Sequence, residues 1–184
     1  VSSVMPVLSL NSRQSLMEMA RRALEEVVKK GKPPVFNPSD AALLEPAPCF
    51  VTLYKKGELR GCVGILKAEK PLFEEVVRMT WAAASEDFRF QPIRPEELGE
   101  IEIEISVLSP LEKIASPHQI EVGRHGVYLR WKDKTGAFLP EVAVEQGWNA
   151  EEFFEACARE KAMIPKEAWP ETALYRFTTQ KIKA

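Results

Sequence analysis

Arg60 and Cys62, two positions apart in the run Leu59-Arg60-Gly61-Cys62-Val63-Gly64-Ile65, are the side chains in this sequence best suited to chemistry. A thiolate is a nucleophile and a redox group, and it forms more readily beside a positive charge. A guanidinium supplies that charge together with a fork of donors for an anion. Gly61 and Gly64 lack a Cβ, so another chain or a ligand can approach their backbone closely. On a regular strand, positions 60 and 62 point to one face, which puts charge and thiol on the same surface. The competing reading makes Cys62 a small buried residue in a crowded strand, its glycines leaving room for a helix.

A second cluster follows in Glu86-Asp87-Phe88-Arg89-Phe90-Gln91-Pro92. Here Asp87 can move a proton and Arg89 can hold an anion beside the Cys62 strand. Phe88 and Phe90 are expected to anchor this loop in the core and force the charges between them outward. The plainer reading is an ion pair at a helix end. There are two histidines, His118 and His125. His125 lies in Gly123-Arg124-His125-Gly126, a turn expected to expose the imidazole, and with Cys62 it forms a dyad if the fold brings the segments together. The candidate catalytic residues are thus Cys62, Asp87 and His125; the candidate ligand-binding residues are Arg60, Gly61, Gly64, Arg89 and Phe90.

Other clusters have ordinary readings beside them. Glu100, Glu102 and Glu104 share one side of a strand, where carboxylates usually form a solvated face or pair with neighbouring cations. Lys55 and Lys56 with Arg60, and Arg124, Arg130, Lys132 and Lys134 elsewhere, make either a local anion patch or common surface charge. There is no P-loop and no dinucleotide fingerprint, and the sequence assigns no cofactor and no metal site.

These residues need a scaffold, and 184 residues suffice for one well-buried core or two small lobes. A single domain is expected. The 45% hydrophobic and 28% charged composition is that of a globular protein. A net charge of −2 gives no global field for nucleic acid or anionic lipid. No apolar run approaches membrane-spanning length, and no secretory signal is seen at the start, so a cytoplasmic protein is expected. Cys49, Cys62 and Cys157 show neither disulfide nor zinc spacing and read as reduced thiols.

Residues 1 to 10 read as irregular, followed by a helix capped by Asn11 or Ser12 and running to about Lys30. The proline-rich Lys32 to Pro48 reads as a loop with a helical turn near Ala41 to Leu44. Phe50 to Tyr54 and Leu59 to Leu66 read as strands joined by a turn at Lys55 to Gly57. Pro71 opens a second helix that ends near Ser85 to Asp87. Ile101 to Leu108 alternates, with Ile101, Ile103, Ile105 and Val107 on a buried face and Glu102, Glu104 and Ser106 on a wet one. Beyond a connection bounded by Pro110 and Pro117, a strand is expected at Val127 to Trp131 and a polar reversal at Lys132 to Gly136. Short helices should cover Glu141 to Gln146 and a segment capped by Asn149, with Glu152 completing a capping box. Tyr175 to Ile182 reads as one closing strand. The pattern is an intermixed α+β unit.

Four runs occur in order: Leu59 to Gly64; Ala82-Ala83-Ala84-Ser85-Glu86-Asp87-Phe88-Arg89-Phe90-Gln91-Pro92; Ile105-Ser106-Val107-Leu108-Ser109-Pro110; and Phe138-Leu139-Pro140-Glu141-Val142-Ala143. With Trp148 and the Glu151 to Ala162 helix, they resemble the AMMECR family, named for a chromosomal region linked to Alport syndrome, midface hypoplasia and elliptocytosis. Val63 and Ile65 stand where that family usually has Ile and Thr. The resemblance implies an α+β fold of two subdomains around a central, mostly antiparallel or mixed sheet flanked by helices, with the Arg-Gly-Cys run lining a cleft. It carries the motif to Arg60, Gly61, Cys62 and Gly64, and further to Asp87, Arg89 and Phe90, and assigns no catalytic mechanism. Some microbial relatives are encoded or fused with Memo-like and radical SAM proteins, which such partners would fit.

Two functions are consistent with these residues. In one, an enzyme or enzyme-like component binds a small polar or anionic ligand, with Cys62 as the reactive thiol, Arg60 and Arg89 holding the anion, and Asp87 or His125 moving a proton. In the other, the same surface is a non-catalytic adaptor that binds a peptide or partner protein.

Overall fold

The computed structural model describes residues 7–184, and the irregular lead expected over residues 1 to 10 lies outside the described residues as far as position 6. The class is α+β. The described chain divides into two compact units, one comprising residues up to Leu108 together with Gln180–Ala184, the other Ser109–Thr179.

In the larger unit, helix α1 (Leu10–Lys30) begins two to three residues earlier than a cap at Asn11 or Ser12 would place it, because the Ser9 hydroxyl accepts the Ser12 N–H and serves as the cap. Its stripe of Leu16, Ala20, Ala23, Leu24 and Val27 is buried. The expected helical turn is α2 (Ala41–Leu44), capped by Asp40. Strands β1 (Cys49–Lys55) and β2 (Glu58–Ile65) form an antiparallel hairpin, and β3 (Ile101–Leu108) pairs antiparallel with the other side of β1. The sheet order is β2-β1-β3-β8, where β8 is Thr179–Lys183. One face, with Val51, Leu53, Ile103 and Ile105, packs with α1 and helix α3 (Leu72–Ser85) into a single core.

Gly61 is where α3 meets the sheet. A Cβ there would stand 2.3 Å from the Ala83 carbonyl oxygen. Because that oxygen belongs to helix backbone and cannot turn aside, Gly61→Ala is expected to cost about 1–3 kcal/mol. A lowered urea midpoint at unchanged m-value is the measurement. Gly64 has a similar duty, since a Cβ there would overlap the Phe50 ring, its cross-strand partner. Gly61 thus leaves room for a helix, whereas Gly64 leaves room for an aromatic ring of the neighbouring strand.

The face of β3 expected to be wet is not uniformly so. Glu102 is exposed, but Glu104 and Ser106 are 6% and 2% exposed. Strand β8 supplies the reason: Lys181 and Lys183 lie 3.3 and 3.5 Å from the two Glu104 oxygens. A local alternation cannot reveal a strand that arrives from residues 179–183.

The smaller unit has its own sheet, ordered β4-β7-β5-β6, from β4 (Glu112–Ile114), β5 (Gly126–Trp131), β6 (Lys134–Phe138) and β7 (Ala173–Phe177). Strand β4 occupies the connection between Pro110 and Pro117, and β6 starts inside the expected reversal, leaving only Lys132 and Asp133 to turn the chain. Lys132 takes a positive φ of 55° there. Helices α4 (Pro140–Gln146) and α5 (Ala150–Ala156) follow, and the Asn149–Glu152 capping box is present in both directions. Instead of running on as an α-helix to Ala162, α5 widens into a π turn at Cys157–Lys161. Phe138 and Phe153 stack at 5.8 Å in this unit's core.

The single closing strand expected at Tyr175 to Ile182 is two strands. β7 ends at Phe177 in the second sheet and β8 starts at Thr179 in the first. The Thr178 backbone turns away from both ladders to exchange hydrogen bonds with Ser109, accepting from its amide and donating to its hydroxyl.

Candidate functional site

Strand β2 is the outer strand of its sheet, so alternate residues turn an unpaired N–H and C=O away from β1. Cys62, opposite Thr52, is such a residue. Its amide donates to Asp87 Oδ2 at 3.0 Å, and its carbonyl accepts from Arg89 Nη2 at 3.4 Å. The loop after α3 thus supplies two side chains where another strand would supply backbone. Asp87 and Arg89 are locked to each other by Nε to Oδ1 and Nη2 to Oδ2 bonds of 3.0 and 2.8 Å, and the Arg89 guanidinium lies 5.4 Å above the Phe90 ring.

This geometry reverses the orientation expected of Phe88, while Arg89 stays exposed and Phe90 is half-buried as an anchor. Asp87 is turned inward, 8% exposed, whereas Phe88 is 96% exposed. The Cys62 amide and Arg89 satisfy the carboxylate so well that its burial is tolerated, and the intervening Phe88 must point the other way. The Arg89 fork, followed by the Cys62 and Arg89 amides, outweighs burial and lowers the Asp87 carboxyl to about 2. An acid so depressed is ionised at neutral pH and is a weak base, so Asp87 holds the loop in place and is not suited to carrying a proton. The Arg89 charge is reinforced by the hydrogen bond to Asp87, against a desolvation penalty, with further support from the Asp87 and Cys62 charges.

Arg60 is similarly engaged. Its Nε and Nη2 reach Glu97 Oε1 and Oε2 at 3.2 and 3.1 Å, and Nη1 donates to the Gln91 carbonyl at 2.8 Å. Glu97 also accepts from Lys55 Nζ at 2.9 Å and from the Arg94 amide at 2.8 Å. Burial alone would raise the Glu97 carboxyl, but the bonds from Arg60, the Arg94 amide and Lys55 prevail and bring it down to about 2. The basic patch at Lys55, Lys56 and Arg60 is thereby countered by Glu97 and Glu100. Arg60 ties β2 to the segment following the Asp87 loop.

The Cys62 sulfur lies 3.3 Å from Thr52 Oγ1, and the residue is half-buried. Cys49 and Cys157 are buried, their thiols pushed up by burial, in the case of Cys157 to about 12. His125 belongs to the smaller unit while Cys62 belongs to the larger. It is not the exposed imidazole its turn suggested: it is 7% exposed, and its Nδ1 accepts the Glu121 amide at 2.9 Å, closing the turn on itself. Burial, then the Arg176 and Arg124 charges, keep its pKa below the ordinary 6.5. Among the described residues, no group of His, Cys, Asp and Glu is placed to hold a metal ion. No helix in the described residues is long and apolar enough to cross a membrane.

Thr52 and Glu97 were not singled out by sequence. A faint signal existed for Thr52, the one polar residue amid Phe50-Val51-Thr52-Leu53, but the turn at Lys56 and Gly57 alone would pair it with Gly61; a one-residue register shift between Leu53 and Tyr54 brings it opposite Cys62.

A family model described as AMMECR1 matches residues 17–182. The chain belongs to the AMMECR1 family. A Thermococcus gammatolerans protein is 40% identical over 181 residues, covering 90% of this chain and 86% of its own. A Methanopyrus kandleri protein is 39% identical over 185 residues, covering 94% and 88%. The crystal structure of an uncharacterized protein from Pyrococcus horikoshii superposes with a TM-score of 0.83 at 36% identity, covering 91% of this chain and 88% of that one. The AMMECR1 match spans the Arg60–Cys62 strand, the Asp87–Arg89 loop and both sheets.

Proposed function

We propose that the Cys62 face of this AMMECR1-family protein is an enzyme-like site that binds a small polar or anionic ligand, with Cys62 as its reactive thiol. The observation that carries this reading is a half-buried thiol on a strand edge whose backbone is held at both N–H and C=O by an Asp–Arg pair. Such fixing positions a nucleophile, and Arg89 supplies the charge that favours a thiolate and an anionic ligand. Arg60 and Asp87 act here as positioning residues, Gly61 and Gly64 as packing residues, and Phe90 as the platform under Arg89.

The test is the pH dependence of alkylation at each cysteine, followed by peptide mass spectrometry with Cys62→Ser as control. Modification of Cys62 should persist well below pH 8 while Cys49 and Cys157 stay inert in the folded protein. An inert Cys62 removes the thiol chemistry from this site.

A second reading, a non-catalytic adaptor, is favoured by Phe88, a large aromatic held 96% exposed by its buried neighbour Asp87, with Trp81 also 36% exposed on α3. Aromatic anchors of this kind dominate protein interfaces. Phe88→Ala is expected to change folding stability by less than about 0.5 kcal/mol. If the adaptor reading holds, the same substitution abolishes pull-down of a protein partner while Cys62 alkylation is unchanged; retained pull-down excludes Phe88 as the anchor.

A further inference from the structure

The smaller unit carries an open groove of about 780 Å³ that none of the residues of the Cys62 site lines. Its apolar surface includes Ile164, Pro165 and Trp169, and its charged groups are Lys134, Arg159 and Lys166 against a single acid, Glu155. In a chain of net charge −2, this is a local reversal of sign. The three cations are exposed and come from three different segments: β6, the π turn, and the 3₁₀ turn Lys166–Glu171. Arg159 touches Glu160 at 3.6 Å, an exposed pair that a ligand carboxylate can displace.

The apolar part is built to stay in place. Trp169 Nε1 donates to the Ile164 carbonyl at 3.0 Å, and Phe154 meets the indole edge-on at 6.0 Å. Around it the backbone is unusual. The π turn closes with the Ala162 amide on the Cys157 carbonyl at 3.0 Å, and the Ile164 amide returns to Ala158 at 2.8 Å. Between them Met163 has a left-handed φ of 53°, where glycine would be easier, and its side chain is 69% exposed. A large flexible apolar side chain held in strained backbone at the rim of a groove costs stability and gains little contact in the unliganded chain. Both π turns and strained positions concentrate at binding sites.

We propose that this groove docks an acidic peptide segment of a partner protein, with an apolar side chain seated on Trp169 beneath Met163 and carboxylates met by Lys134, Arg159 and Lys166. Charge complementarity selects the acidic class. An extended segment suits the site better than a small molecule, since an open groove leaves much of a small ligand in water whereas a peptide gains from several anchors at once. This proposal is independent of the chemistry at Cys62.

Fluorescence anisotropy of the intact chain with a labelled peptide alternating glutamate with leucine and phenylalanine tests it, beside the same peptide with lysine for glutamate. The acidic peptide should bind, weaken with added salt, and lose about tenfold or more in affinity to the Arg159→Glu/Lys166→Glu variant, whose fold is checked by circular dichroism. Met163→Gly should raise Tm by about 2–4 °C while weakening the peptide several-fold, so it reads out the side chain without risk to the fold. Equal binding of the lysine peptide, or undiminished affinity in the charge-reversed variant, overturns the proposal. So does tighter binding of free phenylacetate than of the peptide, which makes this a small-ligand site, or peptide exclusion by self-association, which makes a second copy the occupant.

Discussion

Replacing Glu97 with alanine is expected to destabilise the protein by about 3–5 kcal/mol, the cost of stranding the partners of a buried charge network. The Glu97 side chain is 6% exposed and receives Arg60, Lys55 and the Arg94 amide, while the Arg60 side chain is itself only 15% exposed. Without the carboxylate, the guanidinium keeps its burial and loses its counter-charge. Glu97→Gln should fall between wild type and alanine, since the amide oxygen still accepts a hydrogen bond but carries no charge. The same network sets an acid limit. Glu97 sits at about 2 in the folded protein against 4.5 ordinarily, so between those values the unfolded chain binds more protons. Its stabilisation is therefore complete above about pH 4.5 and is withdrawn as pH falls toward 2, for a total of about 3 kcal/mol. Asp87, lowered from 3.8 to about 2, adds about 2 kcal/mol over the same window. Urea midpoints from pH 7 down to pH 2 should show this slope in wild type and a shallower one in Glu97→Gln. A wild-type profile that stays flat below pH 5 contradicts the ion-pair account.

Arg89→Ala and Asp87→Asn should move Cys62 reactivity in opposite directions. Removing Arg89 leaves the buried Asp87 charge next to Cys62 with no guanidinium against it, and alkylation of Cys62 at pH 7 should slow about tenfold. In Asp87→Asn, the amide oxygen can still accept the Cys62 N–H while the negative charge is gone, so the thiolate is favoured and alkylation should quicken several-fold. Asp87→Asn should also cost about 2 kcal/mol at neutral pH and almost nothing near pH 2, where the native carboxyl is itself half protonated. The measurement is the second-order alkylation rate at several pH values, paired with denaturation to confirm folding. Rates that rise in both variants would mean that the loop has come away from the strand edge, and that access, not charge, governs the thiol.

Elements whose information is local were readable in advance. The α1 stripe, the hairpin around Lys56 and Gly57, the Asn149–Glu152 capping box and the apolar side of β3 each depend on residues within a few positions of one another, where period and capping chemistry act. Two of the failures come from distant parts of the chain and one from a local turn. Glu104 is buried because Lys181 and Lys183 arrive from the chain's far end, and the closing strand is split because Thr178 pairs with Ser109 across a long separation. His125 reads as exposed from its glycines and is buried because its own Nδ1 is taken up by the Glu121 amide.

The alternation of local helix and strand patterns was enough to determine the α+β class, and four ordered runs, from residues 59–64 to 138–143, carried the AMMECR resemblance, since period, turn chemistry and motif are properties of neighbours. Only the tertiary structure decided what those residues do for one another. It spent Arg60 on Glu97, gave Gly61 to the close approach of α3, turned Asp87 in and Phe88 out, and set Asp87 and Arg89 on the two open backbone groups of Cys62. The physical reason is that an outer strand's unpaired N–H and C=O must find partners from whatever the fold brings beside them, and that choice is made by distant parts of the chain.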